Sequence, residues 1–183
     1  MNEDILRGKL VQLRAINRER DAELLAGWSR DSETMRLASI GPIYPYPLKQ
    51  VQDWLDEVNP GVCDFAIETV SEGKCIGTVG LDEIHWAAGY AWAGIALGER
   101  DYMGRGYGTE AMQLLLRFAF DELNLHRVQL SAFEFNHRAI RSYEKCGFKH
   151  EGSERSSMSK EGQRWDLVNM GILQSEWRLA QEG

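Results

Sequence analysis

The chain has 183 residues, 43% hydrophobic and 27% charged, the balance of an ordinary globular protein long enough to bury one sizeable core. Its net charge of −7 disfavours nonspecific contact with nucleic acid and favours cationic partners. Three scattered cysteines (Cys63, Cys75, Cys146) form no disulfide framework, the four histidines lack metal-ligand spacing, and no apolar stretch reaches signal or membrane-spanning length.

These bounds lead us to expect a single domain over residues 1–183, cytoplasmic, with no metal and no nucleic-acid or membrane partner. In chain order, Lys9 to Arg14 alternates, with Leu10, Gln12 and Arg14 on one face, and reads as a first or edge strand. Asn17 to Ser29 is helical, with Ala22, Leu25 and Trp28 in register, and Asp31 to Ala38 adds a short second helix. Ile40 to Pro47 holds three of the four prolines beside Tyr44 and Tyr46, so it is irregular; it either borders a substrate pocket or merely connects. Leu48 to Val58 returns to helix, with Val51, Trp54 and Leu55 as its apolar face, stopped before Pro60. Cys63, Phe65 and Ile67 alternate in a strand; Cys75 to Trp86 and Tyr90 to Leu97 complete an antiparallel meander. After a second helix-bearing segment, Val128 to Phe135 is a buried strand and His137 to Lys145 a helix with Asn136 as N-cap. Phe148 to Met158 and Arg164 to Leu173 are the last strands. The order describes a mixed α/β sandwich around a central sheet.

The segment Tyr90 to Leu123 runs from strand through a glycine-rich loop into an amphipathic helix. Ala111, Leu114, Leu115 and Phe118 share one side; Glu110, Gln113, Arg117, Asp121 and Asn124 form a polar stripe, in which Arg117 and Asp121 are spaced to pair. Gly104, Gly106 and Gly108 alternate where this helix begins, which suits phosphate bound by free N–H groups at a positive helix end. The spacing is neither the dinucleotide fingerprint nor a P-loop. The alternative is a tight strand-to-helix turn that binds nothing.

Met103-Gly-Arg-Gly-Tyr-Gly-Thr-Glu-Ala111 resembles the acyl-CoA-binding motif of the GNAT N-acetyltransferase superfamily, Gln/Arg-x-x-Gly-x-Gly/Ala, with Met103 departing at its first position. Asn136-His-Arg-Ala-Ile-Arg-Ser-Tyr143-Glu-Lys-Cys-Gly147-Phe148 is similar to the family's next motif. The glycine-loop wording and the Ser175-Glu-Trp177 ending are most similar to the branch of ribosomal-protein N-terminal and spermidine acetyltransferases. The resemblance implies a mostly antiparallel sheet of about seven strands flanked by helices, whose fourth and fifth strands splay apart around acetyl-CoA. It implies that Met103, Gly104, Arg105, Gly106, Tyr107, Gly108 and Thr109 cradle the pyrophosphate, with Arg100 adding charge. The edge of Ile95, Ala96 and Leu97 would pair with the pantetheine arm. Asn136 would bond that arm from the opposite strand, or serve only as a cap. Tyr143 would be the general acid at the leaving thiolate.

The chemistry sets its own demands. A solvated alkylamine with pKa near 10.4 is about three units from neutral at pH 7, a penalty of roughly 4–5 kcal/mol. A base or a desolvating pocket must offset it. Asp82, Glu83 and Glu134 are the carboxylates placed near the expected cleft, and Glu83 is named as the catalytic base. Trp92 stands where some polyamine-acetylating relatives carry an acid, which weighs against spermidine. No histidine is placed to activate Cys146 or Cys75, so direct transfer in a ternary complex is expected rather than an acetyl-cysteine. The acceptor is a primary amine: a protein N-terminus, a polyamine or another small amine. The alternative function is a CoA-binding sensor or partner-binding module that has lost catalysis. Trp165 and Trp177 either pack in a homodimer through the terminal strands or complete the monomer's core.

Overall fold

The structure, a computed structural model, describes residues 4–39, 41–57 and 59–181. Seven strands form one sheet in the order β1-β2-β3-β4-β5-β7-β6. They are β1 (Val11–Ala15), β2 (Cys63–Thr69), β3 (Cys75–His85), β4 (Tyr90–Leu97), β5 (Arg127–Phe133), β6 (Lys149–Lys160) and β7 (Gln163–Leu173). Every pairing is antiparallel except β4 with β5. The helices are α1 (Arg18–Trp28), α2 (Ser32–Ala38), α3 (Leu48–Asp56), α4 (Tyr107–Arg117), α5 (His137–Lys145) and α6 (Gln174–Gln181). Ile40 and Val58, included in the expected loop and third helix, lie outside the described residues.

The period-2 pattern of β1 holds: Val11 and Leu13 are buried while Gln12 and Arg14 share the other face. Arg14 pairs there with the fully buried Asp21 of α1 at 2.7 Å and with Glu68 of β2 at 2.6 Å, locking the first helix to the sheet edge. The expected cap forms at Asn136, whose side chain accepts an N–H bond from the first turn of α5, and the Asn17 and Asp31 side chains cap α1 and α2 in the same way. The apolar face of α3 is only partly buried. Val51 is enclosed, but Trp54 remains 47% exposed, edge-on to Tyr46.

The main core lies between the sheet and α4, with Ala111, Met112, Leu115 and Leu116 fully buried. Gln113, Asp121 and Asn124 of the polar stripe are exposed, and the Arg117–Asp121 pair is absent among the described ion pairs. Glu110 instead accepts from the backbone N–H groups of Lys9, Leu10 and Val11 at 3.0, 2.6 and 2.8 Å. Arg117 donates to the carbonyls of Ile5 and Asp4 at 2.8 and 3.0 Å. Backbone groups before and at the start of an edge strand need partners, and those two side chains supply them. Beyond Arg117 the helix widens into a π-helical turn, Phe118–Glu122. The sequence reading did not include α6; its Trp177 packs on Phe120 at 5.5 Å, and Trp165 packs on Phe135 at 4.9 Å, both within this chain.

What positions the site is a half-made pairing. Strand β4 is bonded to β3 along its whole length, from His85↔Tyr90 to Gly77↔Leu97. It meets β5 only at Tyr90↔Arg127, Ala91↔Val128 and Trp92↔Gln129. From Ala93 to Leu97 its second edge has no strand partner, so the sheet opens between β4 and β5.

Candidate active site

The opened strands border a cleft of about 980 Å³, the size of a small-molecule site. One wall is the edge Ala93 to Leu97, whose free backbone groups can receive an extended, amide-rich ligand. At its end lies the start of α4. Gly106 sits at φ +92°, in the left-handed region that favours glycine, and no side chain caps the helix. The N–H groups of that first turn are therefore free to meet an anion. A Cβ at Gly108 would come to 3.3 Å from Leu97 Cδ1, so glycine keeps helix and strand in close approach.

The structure divides the expected cofactor residues. Ile95, Ala96, Leu97, Met103, Gly104, Gly106, Gly108, Thr109, Asn136 and Tyr143 line the cleft. Arg105 and Tyr107 do not. The Arg105 guanidinium lies over the Tyr107 ring and donates to the Asp101 carbonyl at 3.1 Å, while Tyr107 packs edge-on to Tyr102. Arg100 is also engaged elsewhere, pairing with Asp31 and Glu33 of α2. The cations at the cleft are Arg138, Arg141 and Lys145 of α5. Sequence reasoning passed over them because a helix with several charges reads as a solvated face; their i, i+3 and i, i+4 spacing was the available signal. The uncapped helix start, the free strand edge and these cations together fit an extended anionic thioester carrier such as acetyl-CoA.

The Tyr143 ring is buried against Phe148 and its residue lines the cleft. Burial pushes its phenol up to about 12, with the neighbouring Cys146 adding to the shift. It thus stays protonated throughout the neutral range. Burial pushes the Cys146 thiol up to about 12 as well, so it carries negligible thiolate at neutral pH. Cys75 is also raised, chiefly by burial.

The three candidate carboxylates separate. Glu83 sits in the β3 bulge at φ +49°, exposed and outside the cleft lining. The bulge turns it away, because one extra residue shifts the alternation of the strand. Its neighbour Asp82 pairs in register with Trp92 and lines the cleft. Desolvation raises the Asp82 carboxyl above the ordinary aspartate value, and the charge of Glu83 raises it further. Glu134 accepts from the Asp166 N–H at 2.8 Å and so fastens β5 to β7 outside the cleft. The cleft lining also includes Glu154 of β6, which accepts from Asn169 and Ser157 at 3.0 Å each. These bonds hold its carboxyl below the ordinary glutamate value. The remaining wall is α2, through Met35, Leu37, Ala38 and Ser39, with Tyr46 from the proline-rich loop; Tyr44 is not part of it.

Comparison with known proteins agrees with this geometry. The chain is 27% identical over 162 residues to the uncharacterized N-acetyltransferase p20 of Bacillus licheniformis, covering 86% of this chain and 89% of that one. It is 31% identical over 113 residues to the spermidine N(1)-acetyltransferase of Vibrio cholerae, covering 62% of this chain and 64% of that enzyme. The crystal structure of spermidine N-acetyltransferase from Vibrio cholerae in complex with CoA and spermine superposes with a TM-score of 0.85 at 24% identity, covering 93% of this chain and 99% of that one, and shares the fold. No described helix is long and apolar enough to cross a membrane. The family model for the acetyltransferase (GNAT) domain matches residues 11–149 of the 183, and the chain belongs to that family as an acetyl-CoA-dependent acetyltransferase.

Proposed function

We propose that this chain, as a single domain, acetylates the primary amine of a small cationic acceptor by direct attack within a ternary complex. The observation that carries the reading is the β4–β5 opening, with the free start of α4 at one end and the carboxylates of Asp82 and Glu154 in its lining. Asp82 and Glu154 make the acceptor end suited to a cation, which favours a polyamine or a basic N-terminus over a neutral amine. Relatives named for spermidine support that class. The cosubstrate supplies an activated acetyl thioester; the residues here orient, deprotonate and donate.

Asp82 takes the amine proton, in place of Glu83, because it faces the cleft and its raised pKa brings it nearer to neutral. Free N–H groups on the β4 edge can receive the charge that develops on the carbonyl oxygen. Tyr143 meets the departing sulfur as a hydrogen-bond donor. Its phenol near 12 lies about three units above an ordinary thiol, a gap of roughly 4–5 kcal/mol, so it stabilises the sulfur by sharing the proton before any full transfer. The protonated state of Cys146 supports transfer without an acetyl-cysteine.

The test follows free CoA thiol over a panel of polyamines, basic peptides and neutral amines, beside Tyr143→Phe. Turnover with a cationic acceptor, cut about 100-fold in the variant, is expected. Turnover unchanged in the variant would remove Tyr143 from the reaction. Acetyl-CoA binding with no turnover of any amine would return the chain to a binding module.

A further inference from the structure

Helix α2 touches both halves of the opened sheet. At its start, Asp31 and Glu33 pair with Arg100, which follows β4; the Arg100 Nε–Asp31 Oδ2 and Nη1–Glu33 Oε2 distances are 2.6 and 2.7 Å. At its end, Lys160 from the β6–β7 hairpin donates to the carbonyls of Arg36, at 3.2 Å, and Ser39. Lys160 is buried, 8% exposed, with its ammonium 4.8 Å over the Phe133 ring. Beside it, Arg36 pairs with Glu161 of the same hairpin at 2.6 Å, and Asn136 Nδ2 reaches the Leu37 carbonyl at 3.4 Å. A cation on the last carbonyls complements the negative helix end. Burying a lysine for this purpose is costly, and desolvation indeed lowers its pKa. Strand β4 has no bonds to β5 beyond Trp92, so these contacts link the two halves where the sheet does not.

We propose that α2 is a tie bar across the opened half of the sheet, and that Lys160 and Arg100 are the positioning residues fastening its two ends and so fixing the acceptor-side wall. The effect on acceptor binding rests on the reading that the amine enters on the α2 side. Met35, Leu37, Ala38 and Ser39 face the cleft from this bar, so its placement sets the width of that end. The pyrophosphate end, built on α4, is carried by other contacts.

The experiment compares Lys160→Met, Arg100→Ala and the double variant. It measures backbone hydrogen exchange along α2 and steady-state kinetics with each substrate varied. Each single change is expected to speed exchange from Met35 to Ser39 by about tenfold. Each is expected to raise the KM for the amine about three- to tenfold while the KM for acetyl-CoA moves less than twofold. The double variant should fall short of the product of the singles, because a bar freed at one end already positions the wall poorly. Unchanged exchange in α2, equal rises in both KM values, or fully multiplying effects would overturn the proposal. Should Lys160→Met fail to fold, Arg100→Ala decides by the same readings. Should no amine be acetylated, the acceptor reading fails, while hydrogen exchange still decides whether the bar exists.

Discussion

The two ends of the cleft are built in different ways. The end suited to phosphate comes from consecutive residues: a strand edge, three alternating glycines and the first turn of a helix, all between Ala93 and Thr109. The end we propose for the acceptor is assembled from α2, the Tyr46 loop, β3, β5, β6 and β7. A local device depends on backbone shape, which short stretches of sequence specify. An assembled device depends on how distant elements pack, and single residues there read like ordinary solvated side chains.

This contrast can be broken or sharpened by substitution. The largest effect is expected from Tyr143→Phe, which serves both ends and should lower kcat about 100-fold. Gly108→Val should weaken acetyl-CoA binding roughly tenfold by calorimetry, since even a Cβ approaches Leu97 Cδ1 at 3.3 Å. Equal binding would show that the local device tolerates a side chain and is less exacting than its backbone suggests. At the acceptor end, Asp82→Asn should lower kcat about tenfold and remove the acidic limb of the pH–rate profile, while Glu83→Gln should change kcat less than twofold. The reverse order would restore Glu83 as base.

Away from the chemistry, Glu110→Ala should cost about 1–3 kcal/mol, or roughly 2–12 °C in Tm, by leaving three N–H groups before and at the start of the first strand without their acceptor. A small effect on rate is also expected for Cys146→Ala, within about twofold of the parent, with no labelled acetyl-enzyme trapped in the absence of amine. Its signature is alkaline stability. The folded thiol keeps its proton to about 12 against an ordinary value of 9.0, so the native state binds more protons across that interval. Stability must then fall as pH rises from about 9 toward 12, and the slope should be shallower in the variant.

The sequence by itself determined the elements other than α6 and the backbone of the end suited to phosphate. Alternation and apolar runs bounded by turns located seven strands, Asn136 marked the start of α5, and the glycine loop with the pattern from Asn136 to Phe148 carried the family resemblance, because each rests on periodicity or on neighbours in the chain. Only the tertiary structure decided which charges face the cleft. A bulge aims Asp82 in and Glu83 out; α5 brings Arg138, Arg141 and Lys145 to the cleft, while Arg105 and Arg100 are engaged elsewhere. Two residues of the polar stripe, Glu110 and Arg117, hold the backbone before and at the start of β1, partners about a hundred residues away in the chain, while Gln113, Asp121 and Asn124 stay exposed. Charged side chains are long and find partners by proximity in space, so their roles are settled by packing and not by spacing along the chain.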